Sequence, residues 1–369
     1  MSKIDRINHA QKQMRDKDLS LLAAIAGPDL YYLTGLDFHA SERPAILLLP
    51  ASGQPAFIFP DFEITKVEDC EIQVASFSYG EERATWVQSC EKALDFLSEK
   101  NMKIGVNAIQ MRFLEMNLLR QANPEITFQS ADFIFEELRM HKDPDEIANI
   151  RIAIHIAERA FLETLKTIKL GRTEKEIAAQ LVMNLFNFGS DPQLPFSPIV
   201  ASGPNAANPH ALPSERQIEM GDMLIIDWGA TYNHYISDIT RTISIGKPDR
   251  EFETINQVLK EANAYARQIA KAGIPCSQVD AAARNVITKA GYGQFFTHRT
   301  GHGIGMEAHE APYIASDNQQ KLEIGNTFTI EPGVYIPHKG GIRLEDNVAI
   351  TSEGAETLTT LPRDLFIIE

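Results

Sequence analysis

Apolar and polar positions alternate in short blocks over the first part of the chain. Runs at 19–26, 45–49, 56–59, 72–77, 104–106 and 126–128 are short and apolar, and they predict strands. Segments 4–14, 81–97 and 111–121 repeat their apolar residues at helical spacing. Strands interleaved with helices predict an α/β domain over residues 1–131. No glycine-rich phosphate loop interrupts it, and the segment 35–41 reads as a surface loop.

Residues 131–142 are expected to connect this domain to a second one over 132–369. Asp143-Pro144-Asp145-Glu146 is a helix start, with Asp as N-cap, Pro at the first helical position and Glu three after the cap. The pattern then repeats. A long helix ends near Gly171, and Thr173-x-x-Glu176 opens a shorter one that stops near Gly189. Later, Asp249 precedes a long helix ending near Gly273, and Ser277-x-x-Asp280 opens a shorter one that stops near Gly291. A strand hairpin follows each helix pair. Thr173 lies 54 residues before Asp227, and Ser277 lies 54 before Glu331. One helix–helix–hairpin unit used twice about a pseudo-two-fold axis explains this spacing.

The hairpins carry the candidate chemistry. In the first, 223–230 and 234–245 flank Tyr232-Asn233, where Asn tolerates a positive φ. A turn centred there sets Asp227 opposite Asp238. Facing like charges repel unless one is protonated or a cation lies between them, so an acid dyad and a metal site both fit. In the second, 327–336 and 342–351 flank residues 337–341, and a turn centred on His338 sets Glu331 opposite Glu345. Between the hairpins lies Thr297-His298-Arg299-Thr300-Gly301-His302-Gly303-Ile304-Gly305, where glycines bring a histidine close to backbone. Four carboxylates and one imidazole suit two divalent cations, which could be Mn, Co, Fe or Zn.

Charge narrows the partners. The formal net charge of −15 argues against nucleic-acid or anionic-membrane binding and favours a soluble cytoplasmic protein. The three cysteines, Cys70, Cys90 and Cys276, are too scattered for a disulfide framework and are expected as buried thiols. The polar N-terminus has no signal-peptide core, and no apolar run reaches membrane-spanning length.

The stretches IIDWGATYNHYISDITRT, HRTGHGIGMEAHEAPY, TIEPGVY and IRLEDN resemble the pita-bread metallopeptidases, which include prolidases, proline aminopeptidases and methionine aminopeptidases. The N-terminal domain resembles the creatinase-type domain that precedes the prolidase core. The resemblance implies an α+β pita-bread catalytic domain with an internal pseudo-two-fold repeat. It implies that Asp238 and Glu345 bridge two metals, that Asp227 binds one, and that His302 and Glu331 bind the other. A metal-bridging hydroxide would attack the scissile carbonyl, with Glu331 moving the proton. His210 and His309 match histidines that contact substrate and stabilise its oxyanion. Arg343, two residues before Glu345, is expected to orient a carboxylate and to count among the substrate-binding residues. His298 is expected either to contact substrate or to brace the His302 loop. A homodimer is implied as well.

One position departs from the prolidase pattern. Many prolidases have Arg after the Pro of the His-Glu-x-Pro run, where it holds the dipeptide's carboxylate, and this chain has Tyr313. Tyr313 is therefore expected to line the substrate site with weaker hold on a free carboxylate. The expected activity is metal-dependent cleavage of the Xaa-Pro bond in dipeptides or short peptides. Proline aminopeptidase action on longer peptides and hydrolysis of a non-peptide amide are the alternatives. A metal-free binding module is a further one, opposed by the complete ligand set.

Overall fold

The computed structural model describes residues 1–98 and 102–369, and the chain divides into two compact units, Met1–Arg139 and Met140–Glu369. In the first unit, six strands form one mixed sheet in the order Ala75–Tyr79, Ala56–Pro60, Ile46–Pro50, Leu21–Ile25, Lys103–Val106, Thr127–Ser130. Pairing is antiparallel between the middle strands and parallel towards both edges. The central strands LLAAI and ILLLP are buried at every position, as strands covered on both faces must be. Helices form at Lys3–Asp16, Arg83–Leu97 and Phe113–Ala122, where the periodicity predicts them.

Three short helices escape that reading: Pro28–Thr34, Ile64–Glu68 and Asp132–Met140. The last lies where a connector was expected, and the division between units falls after it, later than residue 131. Its Ile134, Phe135 and Leu138 are buried, so it is a structural element and not a linker. Segment 35–41 has no regular structure.

The second unit opens with the predicted cap. The Asp143 carboxylate accepts from the backbone N–H groups of Asp145 and Glu146, and Glu146 accepts from the Asp143 N–H at 2.8 Å. Helix Pro144–Leu165 then packs with Glu174–Asn187 over strands Met223–Trp228 and Ile239–Ile245. Trp228 fixes this layer: its indole N–H donates to Ala157 O, and its ring stacks on Phe161 at 4.4 Å. Such a pair contributes about 0.5–1.5 kcal/mol beyond area burial. Helices Arg250–Ile269 and Cys276–Lys289 repeat the arrangement over Thr327–Ile330 and Asp346–Thr351.

The repeat is real, but its counterparts are not those matched by the 54-residue spacing. The second short helix begins after Pro275, so Ser277 is inside it. Thr173 and Pro275 each form a lone β-bridge, to Gln217 and Lys321, and are the equivalent residues. Asp280 does not cap; it is buried and accepts from Arg284 and from the N–H and hydroxyl of Thr300. Cys90 and Cys276 are buried, and burial pushes the Cys276 thiol up to about 11, so it stays protonated and inert. No helix among the described residues is long and apolar enough to cross a membrane.

Candidate metal centre

The first hairpin turns one residue later than expected. Asn233 and His234 hold positive φ values of 49° and 66°, as a two-residue hairpin turn requires. Tyr232 therefore pairs with Tyr235, and Asp227 pairs with Thr240 in place of Asp238. This moves the partner by two positions, so Asp227 and Asp238 keep the same face as diagonal neighbours. The second hairpin has the expected register, with Gly333 opposite Arg343 and Ile330 opposite Asp346. Glu331 and Glu345 occupy the gap between those two ladders.

His302 comes from the strand Gly301–Gly303, which is squeezed between two others. A Cβ at Gly301 would collide with Thr329 O, and one at Gly303 with Ala311 O. Only glycine on both sides lets the imidazole enter at this depth.

These elements bring Asp238, His302 and Glu345 together, with a potential ligand atom of each within 4.8 Å of the others. His302 Nε2 lies 3.6 Å from Asp238 Oδ2 and 3.4 Å from Glu331 Oε1. Burial pushes the His302 pKa well below the usual range, so the ring is neutral. Its Nδ1 is 3.2 Å from Gly303 O, which assigns the proton to Nδ1 and leaves Nε2 as an acceptor. An acceptor then faces carboxylate oxygens, an arrangement that a cation resolves.

The acids carry the same signature. Asp227 Oδ2 accepts from Arg343 Nη2 at 2.5 Å, while Asp227 Oδ1 is buried without a hydrogen-bond partner. Burial first, and then the neighbouring acids, raise Asp238 and Glu345 well above the carboxylate range. Burial also raises Asp227, with Arg343 opposing, and pushes Glu331 up to about 7. Three buried carboxylates and the partly buried Glu331 beside a single buried guanidinium are stable as anions only with added positive charge. The orphaned oxygen, the acceptor-only contacts and the excess negative charge all fit divalent cations.

Arg343 donates to protein acceptors on every side. Its Nε donates to Thr240 Oγ1, Nη1 to Pro209 O and the Tyr335 hydroxyl, and Nη2 to Asp227. The group is buried, and its bond to Asp227 is suited to orient that carboxylate. His298 braces the site. Its Nδ1 donates to Arg299 O at 2.7 Å, and its Nε2 accepts from the Tyr335 hydroxyl at 2.9 Å. Burial pushes His298 down to about 4 and Tyr335 up to about 12, so both are neutral. Sequence reading assigned Tyr335 no part; its place four residues after Glu331 in one hairpin strand was the available signal.

The remaining candidates sit at the rim. The His309 ring packs edge-on against His302 at 4.1 Å and is exposed on its other side. His210 is exposed on the loop after Gly203–Ala207, close enough for its charge to act on Asp227 and His309. Tyr313 lies beneath the Arg299 guanidinium, 4.5 Å from ring centre to charge.

Residues 148–352 match the model of metallopeptidase family M24, and residues 6–141 match the creatinase/prolidase N-terminal domain. The chain is 35% identical over 339 residues to an Xaa-Pro dipeptidase from Pyrococcus horikoshii, covering 92% of each. Among solved structures, it is similar to a prolidase from Thermococcus sibiricus with a TM-score of 0.94, 34% identity and full coverage of both chains. An X-Pro aminopeptidase from Thermotoga maritima gives a TM-score of 0.84 at 34% identity, covering 97% of this chain and 100% of that one. The second unit has the pita-bread architecture and the first the creatinase-type one.

Proposed function

The chain belongs to metallopeptidase family M24, and from that membership we propose that it hydrolyses the peptide bond before proline in dipeptides or short peptides. The observation that carries this reading is the buried cluster itself, in which Asp238, His302 and Glu345 converge and Asp227 keeps an unpaired oxygen.

Asp227, Asp238, His302, Glu331 and Glu345 would hold two divalent cations, with Asp238 and Glu345 shared between them. Mn is the first candidate, and Co, Zn and Fe accept the same donors. When bound, the cations acidify water and polarise the scissile carbonyl. Glu331, 3.4 Å from His302 Nε2 in the acid cluster, would take a proton from the attacking water and pass it to the leaving proline nitrogen. His309 and His210 at the rim donate to the carbonyl oxygen as charge develops on it. Arg343 donates to Asp227, orienting it and opposing the rise that burial causes. Tyr335 and His298 keep that guanidinium and the Glu331 side of the site in register.

This reading includes a cytoplasmic homodimer without nucleic-acid or membrane partners, and the net charge of −15 supports the exclusion of polyanions. Proline aminopeptidase action on longer peptides is a second reading, supported by Tyr313 and by the likeness to the Thermotoga maritima X-Pro aminopeptidase. Activity of the Mn-loaded protein on Ala-Pro, Ala-Pro-Ala and Ala-Ala tests both. Cleavage of Ala-Pro with rejection of Ala-Ala is expected. Cleavage of Ala-Ala alone would contradict the proline requirement, and preference for Ala-Pro-Ala would favour the aminopeptidase reading.

A further inference from the structure

We propose that Arg299, held against the Tyr313 ring, binds the free C-terminal carboxylate of the substrate and so selects dipeptides over longer peptides. The proposal rests on the Xaa-Pro reading above.

Strand Gly301–Gly303 runs antiparallel to Glu310–Ile314, with Gly301 opposite Ile314 and Gly303 opposite Glu310. That pairing sets two ring contacts side by side. His302 meets His309 at 4.1 Å, and the Arg299 guanidinium meets the Tyr313 ring at 4.5 Å. His302 belongs to the acid cluster, so Arg299 lies at its edge. Its positive charge acts on Glu331, His302 and His309.

The neighbouring guanidinium groups are already committed. Arg343 donates to Asp227, Thr240, Tyr335 and Pro209 O, and Arg284 donates to Asp280 and the carbonyls of Phe296 and His298. Among the described residues, the Arg299 guanidinium contacts the Tyr313 ring and forms no salt bridge. A guanidinium stacked on an aromatic face keeps its N–H edge directed outward, ready for two parallel bonds to a carboxylate. The ring also fixes its orientation, which lowers the ordering cost on binding.

The substrate's chemistry requires such a group. A carboxylate approaching a cluster of buried acids is repelled unless a fixed cation receives it. In a dipeptide that carboxylate belongs to the residue just past the scissile bond, with the two Cα atoms about 3.8 Å apart. Its receptor must therefore adjoin the hydrolytic centre, as Arg299 does. A longer peptide presents a neutral amide at the same point and gains nothing from the guanidinium.

The test compares kcat/KM for Ala-Pro and for Ala-Pro amide on the metal-loaded enzyme, since both share the scissile bond. Wild type should favour Ala-Pro by roughly ten- to hundredfold, the effect of a charge-assisted pair. Arg299→Met with unchanged metal content should bring the ratio near one, mainly by raising KM for Ala-Pro. Arg299→Lys keeps the charge without the fork and should give an intermediate ratio. Tyr313→Phe should preserve the ratio, whereas Tyr313→Ala should reduce it. A wild-type ratio near one, with both substrates cleaved, overturns the clamp and leaves the Xaa-Pro reading intact. An unchanged ratio in Arg299→Met, or in Arg299→Lys should the Met variant not fold, also overturns it. Cleavage of neither substrate overturns both.

Discussion

The two acid-bearing hairpins share a plan and differ in what holds their carboxylates. In the first, Asp227 receives a guanidinium from the other hairpin, through Arg343. In the second, Glu331 faces two neutral imidazoles, with His302 at 3.4 Å and His298 at 3.9 Å, and among the described residues no guanidinium donates to it. Burial acts on both acids. Arg343 opposes the rise of both, and only Asp227 receives its hydrogen bond; Glu331 still rises to about 7. The partner decides which carboxylate is held by a guanidinium and which faces imidazoles alone. The bracing is also reciprocal. Thr240 of the first hairpin donates to Glu345 at 2.6 Å, and Asn347 of the second donates to Asp238 O and accepts from the Asp238 N–H. Neither hairpin forms its half of the site alone.

The strongest way to break this comparison is to remove one acid at a time. Asp238→Ala should lose both metals and essentially all activity, because Asp238 is proposed to serve both. Asp227→Ala should keep the metal on the His302 side. Elemental analysis of the two variants checks this, and equal retention of one metal in both would contradict the shared assignment.

The next effect is on stability. With metal removed by a chelator, Glu331 holds a proton in the folded state up to about pH 7, against an ordinary value of 4.5. Between those limits the folded state binds more protons than the unfolded one, so stability falls as pH rises. The contribution is present below 4.5 and lost by about 7, worth up to roughly 3 kcal/mol. The lowered His298 and His302 act in the opposite sense, so the effect is read against Glu331→Gln, which keeps them: in chelated protein the Tm of wild type relative to this variant should fall across the window, and in metal-loaded protein it should not. A relative Tm that rises in the chelated protein would oppose the reading of Glu331.

Arg343→Met removes the donor that distinguishes the first hairpin. Metal affinity should fall by roughly 10- to 100-fold, the usual effect of losing a group that orients a ligand. Calorimetric titration reads this directly. An unchanged affinity would mean that Asp227 needs no orientation.

The smallest effect concerns the first turn. His234 holds φ at 66°, which costs a non-glycine residue about 1 kcal/mol. His234→Gly should raise Tm by a few degrees and leave kcat/KM unchanged. A changed kcat/KM would place the turn in the site's machinery.

Much of this was legible in the sequence, for physical reasons that differ by region. The Asp143 cap was readable because a capping box is local, with its donors and acceptors lying within three residues of one another. The second hairpin's register was readable because His338 sits in its turn at φ 64° with Gly340 beside it. The first was misread by one residue because Asn233 and His234 both adopt positive φ, and histidine is a weak signal for that. Asp132–Met140 was misread because its burial is set by tertiary packing rather than by composition. Ser277 resembled a cap, but Asp280 is taken by Arg284 one turn on in the same helix and by Thr300, which lies nearby only in the folded chain. Tyr335 and Arg299 went unassigned for the same reason: their partners come from other strands.

The central claim is that the paired hairpins form a two-cation site. It is tested most directly by titrating chelator-stripped protein with Mn in a calorimeter and following Ala-Pro hydrolysis on the same samples. The account predicts two cations bound per chain, with activity appearing as the site fills. Full activity in protein that binds no divalent cation would contradict it.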